Sequence, residues 1–196
     1  MPPISRDSLK QLFYDARTYN EWFPKEVSDQ NLRDVYDLMK WGPTSANLGP
    51  ARVVFVKNGP NKAKLIDCLS PTNVEKVKSA PVTAIIAYDN KFYDQIEKLF
   101  PHAVGFREVF ATNAAYSEAT AFRNSSLQGA YFIMAARAIG LDCGPMSGFD
   151  QQKLDEAFFA GTEWRSNFIC NLGYGDKTNL FPRLPRLSFE EACLVV

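Results

Sequence analysis

The chain is predicted to fold as one mixed domain in which helices and strands alternate. Three observations carry that reading. Helical and extended apolar patterns succeed one another along the 196 residues, with no internal repeat, low-complexity tract or linker. Short apolar runs at Arg52–Val56, Pro81–Tyr88 and Ser166–Leu172 have strand length, and the middle one is apolar on both faces, as a covered central strand must be. Finally, 46% hydrophobic and 22% charged residues are the proportions of a soluble globular protein large enough to bury a sizeable core.

The elements follow in order. Asp7 to Tyr14 reads as a short helix, and Ser28 as the N-cap of a second that places Leu32, Val35, Tyr36 and Met39 on one face. A Gly/Pro-rich loop, Trp41 to Pro50, leads into the first strand. Asn61–Leu69 and Asn73–Ser79 are expected to be helical, then the central strand, then a helical segment Phe92–Phe100 and a loop Pro101–Gly105. Ala115 to Ile139 is the longest element, a helix rich in alanine and serine with Gly129 as its only internal glycine. Small side chains there permit close approach of a second helix, within the fold or across a dimer axis, while Arg123, Asn124 and Gln128 keep it from being a membrane span. Gly140 ends it, Leu141–Phe149 is read as a connector, and Asp150 caps a helix through Phe158. The tail at Leu194–Val196 could add a strand, although Ser188 and Glu191 also spell a capping box.

Charge and chemistry narrow the function. A formal net charge of +0 and pI near 6.6 supply no field for nucleic acid or an anionic membrane. Four scattered cysteines fit a reducing, cytoplasmic compartment and form no zinc pattern. No secretory leader or membrane-spanning run is evident. There is neither a GxGxxG nor a GxxxxGK[ST] motif. His102 is the only histidine, which excludes a multi-histidine metal site and weakens any nucleophilic triad. So few acid–base groups, beside two polar Gly/Pro loops, point to chemistry delegated to a cofactor. The first loop, Pro43-Thr44-Ser45-Ala46-Asn47-Leu48-Gly49-Pro50, offers neutral donors and acceptors suited to a planar heterocycle. It also fits an ordinary connector whose Ser and Asn satisfy their own backbone.

Four motifs in order give the chain a resemblance to the FMN-dependent nitroreductase family over nearly its whole length. These are Ala16-Arg17-Thr18-Tyr19-Asn20 after the first helix, the loop at Pro43–Pro50, Gly144-Pro145-Met146-Ser147-Gly148-Phe149 after the long helix, and Arg183-Leu184-Pro185 near the C-terminus. The resemblance implies an α+β, nitroreductase-like fold: a central, mostly antiparallel sheet flanked by helices, with residues 1–196 forming one FMN-binding domain. It also implies an intertwined homodimer with the flavin between subunits, the two loops coming from different copies. On this reading Arg17, Thr18 and Arg183 hold the phosphate, with Arg186 a further candidate. Pro43, Thr44, Ser45 and Asn47 face the ribityl chain and pyrimidine end. Pro145, Met146, Ser147 and Gly148 lie along the other ring edge with backbone N–H groups directed at it, and Asn20 stands where many members carry a cation. No metal and no protein nucleophile are required.

Departures at Asn20, Gly49 and Ala51, with the stretches Lys40–Asn47, Glu118–Ser126, Gly144–Asp150 and Pro185–Glu191, are similar to the malonic semialdehyde reductases of pyrimidine degradation. That similarity implies ping-pong hydride transfer from NAD(P)H through FMN to 3-oxopropanoate, giving 3-hydroxypropanoate. Loss of the cation at Asn20 should lower the flavin potential, which suits an aldehyde. Arg123 and Arg52 are the candidates for meeting the substrate carboxylate. A broad nitroreductase or quinone reductase, or a non-enzymatic flavin-binding protein, are the alternatives.

Overall fold

A computed structural model describes residues 2–196. The first helix, α1 (Arg6–Leu9), is capped by the Ser5 hydroxyl and runs on as a π turn, Lys10–Tyr14. Helix α2 (Asp29–Met39) begins at Ser28, whose capping box with Asn31 closes both ends of the first turn. Leu32, Val35 and Met39 are buried as the spacing requires, but Tyr36 is half exposed at the edge of the stripe. Strand β1 (Ala51–Lys57) follows the Pro/Gly loop; α3 (Pro60–Ile66) and α4 (Pro71–Ser79) each start at a proline, where no N–H is missed. Strand β2 (Val82–Asp89) is central and buried on both faces along nearly its whole length.

Residues 92–111 form a small excursion of a 3-10 turn, α5 (Ile96–Leu99), a second 3-10 turn over Pro101–Ala103, and α6 (Phe106–Ala111). The long helix α7 spans Ala114–Ala138 and stops at Gly140, whose φ of +84° closes the turn. The expected connector after it is instead a strand, β3 (Asp142–Met146), paired along its length with β4 (Trp164–Gly173). Asp-Cys-Gly-Pro-Met has little intrinsic strand preference, and pairing with β4 overrides it; β3 is an edge strand, where proline is tolerated. Helix α8 (Gln151–Phe159) is capped by Asp150, and the tail forms α9 (Phe189–Ala192) through the Ser188–Glu191 capping box, with no strand at Leu194–Val196.

The sheet order is β1-β2-β4-β3, every pair antiparallel. Helices cover both faces. On one, Val35, Met39, Phe132 and Ala136 of α2 and α7 pack on Val82, Ala84, Ile86 and Cys170. On the other, Leu65, Val77, Leu154 and Phe159 pack on Ile85, Ala87 and Ile169. Each fully buried side chain of this size contributes about 1.5–3 kcal/mol. Ala121, Ser125, Gly129, Ala135 and Ala136 of α7 face inward: a Cβ on Gly129 would lie 2.5 Å from the Phe168 ring, so glycine lets the helix settle directly on the sheet. The outward face carries Phe122, Leu127 and Tyr131, with Ala119 and Ala130 among them. No helix among the described residues is long and apolar enough to cross a membrane.

Candidate functional site

Two edges of the sheet carry the motifs. At the β3 edge, Thr18 bridges Cys143 in parallel and the Tyr19 N–H donates to the Cys143 carbonyl (3.0 Å), so Arg17–Asn20 runs alongside the strand. Gly144 makes this approach possible, since a Cβ there would come within 2.5 Å of the Tyr19 carbonyl oxygen. The C-terminal segment crosses back over the same place. Arg183 donates through Nη2 to the carbonyls of Tyr14 (2.7 Å) and Ala16 (2.8 Å), while Arg17 donates to the carbonyl of Phe181. This reciprocal clasp ties each guanidinium group to the other's segment. Neither forms an ion pair with a carboxylate among the described residues. Two uncompensated forks on interlocked segments have the chemistry to receive a dianion such as a phosphate. Arg186 is outside the clasp, donating only to the carbonyls of its neighbours Leu184 and Pro185.

Beyond Met146 the chain leaves the sheet. The Gly148 carbonyl accepts from Ser70 N (3.0 Å) and from the Asn73 amide (3.0 Å), which anchors the turn to α4. The amide N–H groups of Ser147 and Gly148 find no acceptor among the described residues and remain available to a ligand. Lys76 reaches the same corner, its Nζ 3.3 Å from Asn73 Oδ1. Sequence reading missed this half-buried cation because nothing in the α4 sequence distinguishes it from a surface lysine.

At the β1 edge the loop is built from unusual backbone. Ala46, Asn47 and Gly49 all have φ between +46° and +52°, the left-handed region, and an alanine there costs about 1–2 kcal/mol. The surroundings enforce it. Asn124 of α7 accepts from Ser45 N (2.8 Å), Gln128 accepts from Ala51 N (2.9 Å), and Thr44 Oγ1 accepts from Gly49 N (3.1 Å). Asn47 donates to the Leu99 carbonyl (2.9 Å), tying the loop to the 92–111 excursion. Arg52 donates to the carbonyls of Gly49 and Ala51 and pairs with Asp89 at 2.8 Å, so it is occupied in holding the loop and is not free to bind a carboxylate. Arg123, by contrast, is exposed on the outer face of α7, beside Phe122 and Leu127 in a groove of about 580 Å³. Asn124 and Gln128 were legible only as polar residues on a helix. Thr120, Asn124 and Gln128 follow at i,i+4 with Ala121 and Ser125 repeating beside them, and that spacing was the available signal that they face inward.

These two edges do not meet within one chain. β1 and β3 are separated by three strand spacings, about 14 Å. Along the strands, Pro50 lies at the level of Asp89 and Trp164 while Met146 lies opposite Ile169, roughly 17 Å away at about 3.3 Å per residue. Another cavity, of about 640 Å³, is lined by Tyr88, Glu118, Asp155, Glu156 and Arg165. Its acidic lining does not suit an anionic ligand. No group of three or more metal-binding side chains occurs among the described residues.

Comparison with known proteins identifies the family and the fold. The Nitroreductase family profile matches residues 3–174. A Ralstonia pickettii protein with the provisional name NADH dehydrogenase/NAD(P)H nitroreductase HadB is 56% identical over 188 residues, covering 95% of this chain and 96% of its own. A Polynucleobacter asymbioticus protein with the same provisional name is 55% identical, with 98% of both chains covered. Among solved structures, a nitroreductase-like protein of Exiguobacterium sibiricum in complex with FMN superposes with a TM-score of 0.83 at 18% identity, over 100% of both chains. The ydfN protein of Bacillus subtilis does so at 0.87 and 19%, over 98% of this chain and 100% of that one. The chain belongs to the nitroreductase family.

Proposed function

We propose that this member of the nitroreductase family is an FMN-dependent NAD(P)H oxidoreductase, acting through residues 1–196 as one FMN-binding domain, whose acceptor is malonic semialdehyde. The observation that carries the FMN reading is the pairing of an uncompensated Arg17–Arg183 clasp with free N–H groups at Ser147 and Gly148. A phosphate at one end and an acceptor-rich ring edge at the other are what this arrangement complements. Bound FMN supplies hydride storage between a nicotinamide donor and the acceptor. The chain's own residues then have four tasks. Arg17 and Arg183, with the Thr18 hydroxyl, hold the phosphate. Ser147 and Gly148 donate from the backbone to the ring edge. Pro43, Thr44, Ser45 and Asn47 meet the ribityl chain and pyrimidine end. Lys76, beside Asn73, adds a positive charge near the turn.

A second copy of the chain completes the site. Because the loop and the clasp lie on opposite sheet edges, one flavin touches both only if each copy donates one of them. The surface supports this. The isolated chain exposes 11833 Å², whereas a compact monomer of 22.0 kDa exposes about 9,300 Å². Much of the difference is apolar, with Phe181, Leu184, Leu187, Phe189 and Leu194 of the C-terminal arm joined by Phe122 and Leu127 of α7. An arm of that kind stays ordered by wrapping a partner, and the partner is a second copy.

The choice of malonic semialdehyde rests on the sequence stretches noted above, and Arg123 is the cation that remains available for its carboxylate. A second reading is a broader NAD(P)H nitroreductase or quinone reductase, and the names of the relatives at 55–56% identity favour an NAD(P)H nitroreductase. One experiment separates them. NADH or NADPH should bleach the bound flavin in an anaerobic stopped-flow cell, and malonic semialdehyde should then restore its colour. The expected kcat/KM for this aldehyde exceeds that for propanal at least about a hundredfold, since propanal leaves the site's cation unpaired. Equal values, with far faster quinone or nitroarene reduction, would establish the second reading, and a protein that takes up no FMN would reject both.

A further inference from the structure

We propose that Asn124 is a positioning residue that fixes the Ser45 hydroxyl as a hydrogen-bond donor toward the flavin, an inference that rests on the FMN reading above. Asn124 lies on α7, is 2% exposed, and makes three hydrogen bonds. Its Oδ1 accepts from the Ser45 backbone N–H at 2.8 Å, and its Nδ2 donates to the Thr120 carbonyl at 2.8 Å. A backbone N–H can only donate and a carbonyl can only accept, so these two partners settle which end of the amide is oxygen and which is nitrogen. The remaining contact, Nδ2 to Ser45 Oγ at 3.2 Å, is then an N–H donated to the hydroxyl oxygen.

The consequence falls on the Ser45 proton. With its oxygen accepting from Asn124, the hydroxyl hydrogen is turned away from α7. It finds no acceptor among the described residues, and Ser45 is exposed, so the hydrogen is presented outward. Thr44 is set in the same sense: its Oγ1 accepts from the Gly49 N–H at 3.1 Å, leaving its own proton free. The loop therefore shows a ligand two hydroxyl donors, while Asn47, which gives one amide N–H to Leu99, also shows an oxygen acceptor. Hydroxyl donors and an amide acceptor on one turn are the kinds of group that complement a pyrimidinedione edge, which carries two carbonyl oxygens about one ring N–H. Fixed donors at the carbonyls also favour the electron-rich, reduced ring over the oxidised one. The strained φ angles of Ala46 and Asn47 keep the three groups on one short turn.

Asn124→Asp inverts the arrangement with little change of shape. A carboxylate still accepts from Ser45 N, but its second oxygen accepts the Ser45 hydroxyl proton and takes it from the ligand. The test is a double-mutant cycle read by FMN binding to apoprotein, through flavin fluorescence quenching, and by the potential of the bound flavin. Ser45→Ala should weaken FMN about fivefold to tenfold in the wild-type chain and less than twofold in Asn124→Asp. The flavin potential should fall in Ser45→Ala and in Asn124→Asp alike, with no further fall in the double variant. Asn124→Ala, which leaves the hydroxyl unheld, serves if the carboxylate variant does not fold; there the Ser45→Ala effect should shrink to about threefold or less. If Ser45→Ala costs the same factor whatever occupies position 124, Asn124 is only a structural tie and the proposal is overturned. A wild-type chain that binds no FMN overturns it together with the FMN reading; FMN binding with additive variants overturns it alone.

Discussion

On the β1 side of the sheet the site is finished before any ligand arrives, whereas on the β3 side it is left open. The loop Pro43–Pro50 is held by Asn124 and Gln128, both buried, and by Arg52 from the strand it enters. Its backbone strain is sustained by those ties. The clasp beside β3 is the reverse: Arg183 and the whole segment after it are exposed, two guanidinium groups stand without counter-ions, and two backbone N–H groups point at nothing. Rigid, satisfied groups supply orientation, and open, charged ones supply affinity. A ligand recognised in this way gains most of its binding energy on one side and its alignment on the other.

The largest effect should therefore come from the open side. Arg17→Ala or Arg183→Ala should weaken FMN by about 1.5–3 kcal/mol, roughly tenfold to a hundredfold, measured by titration of apoprotein. Arg186→Ala should cost much less, because its guanidinium turns back on its own carbonyls. Equal losses at 183 and 186 would mean that the clasp is not the phosphate receptor.

Next in size is Gly144→Ala. The added Cβ would meet the Tyr19 carbonyl at 2.5 Å and push residues 17–20 off β3, at a cost of about 1–3 kcal/mol in stability. A lower melting temperature accompanied by lost FMN affinity is expected; a drop in melting temperature alone would uncouple the strand pairing from the clasp. Ala130→Trp, in the outer groove of α7, should disrupt association, seen as a shift to monomer in sedimentation. If that monomer kept full flavin binding, the two-copy site would be wrong.

A smaller effect concerns pH. Asp142, at the start of β3, accepts from the Gly175 N–H at 2.9 Å, and burial raises its carboxyl above the usual range. The folded chain then holds this proton more tightly than the unfolded chain. Stability contributed here falls as pH rises from about 3.9, the unfolded value, through the higher folded one. Asp142→Asn keeps an acceptor for Gly175 and should flatten that part of the pH–stability curve in chemical denaturation. An unchanged curve would show that burial of Asp142 has no weight in folding.

Much of this division could be read from the residues. Caps at Ser28 and Asp150 name their own helices, the Ser188 capping box left the tail open between helix and strand, and the doubly apolar run before Tyr88 could only be a covered strand. β3 could not, because Gly144 and Pro145 look like a turn until β4 is there to pair with them. Arg17 and Arg183 were singled out through motif order, but their interlocking depends on a fold that ties Arg17 to Phe181 and Arg183 to Tyr14 and Ala16. Arg52 looked as free as Arg123 in the sequence, and only the structure shows its fork committed to Gly49, Ala51 and Asp89. The roles of Asn124 and Gln128 depend on which face of α7 lies inward, which composition alone does not reveal.

The central claim is that the finished side and the open side which grip one flavin come from different copies of the chain. It can be tested by mixing two variants that each bind FMN poorly: Arg183→Ala, damaged in the clasp, and Thr44→Ala/Ser45→Ala, damaged in the loop. After dissociation and reassociation, a mixed dimer pairs the intact loop of one copy with the intact clasp of the other. About a quarter of all sites should then recover wild-type FMN affinity, because random pairing makes half the dimers mixed and each holds one intact site. If loop and clasp of the same copy formed the site, every site would still carry one damaged half, and the mixture would bind FMN no better than its two parents.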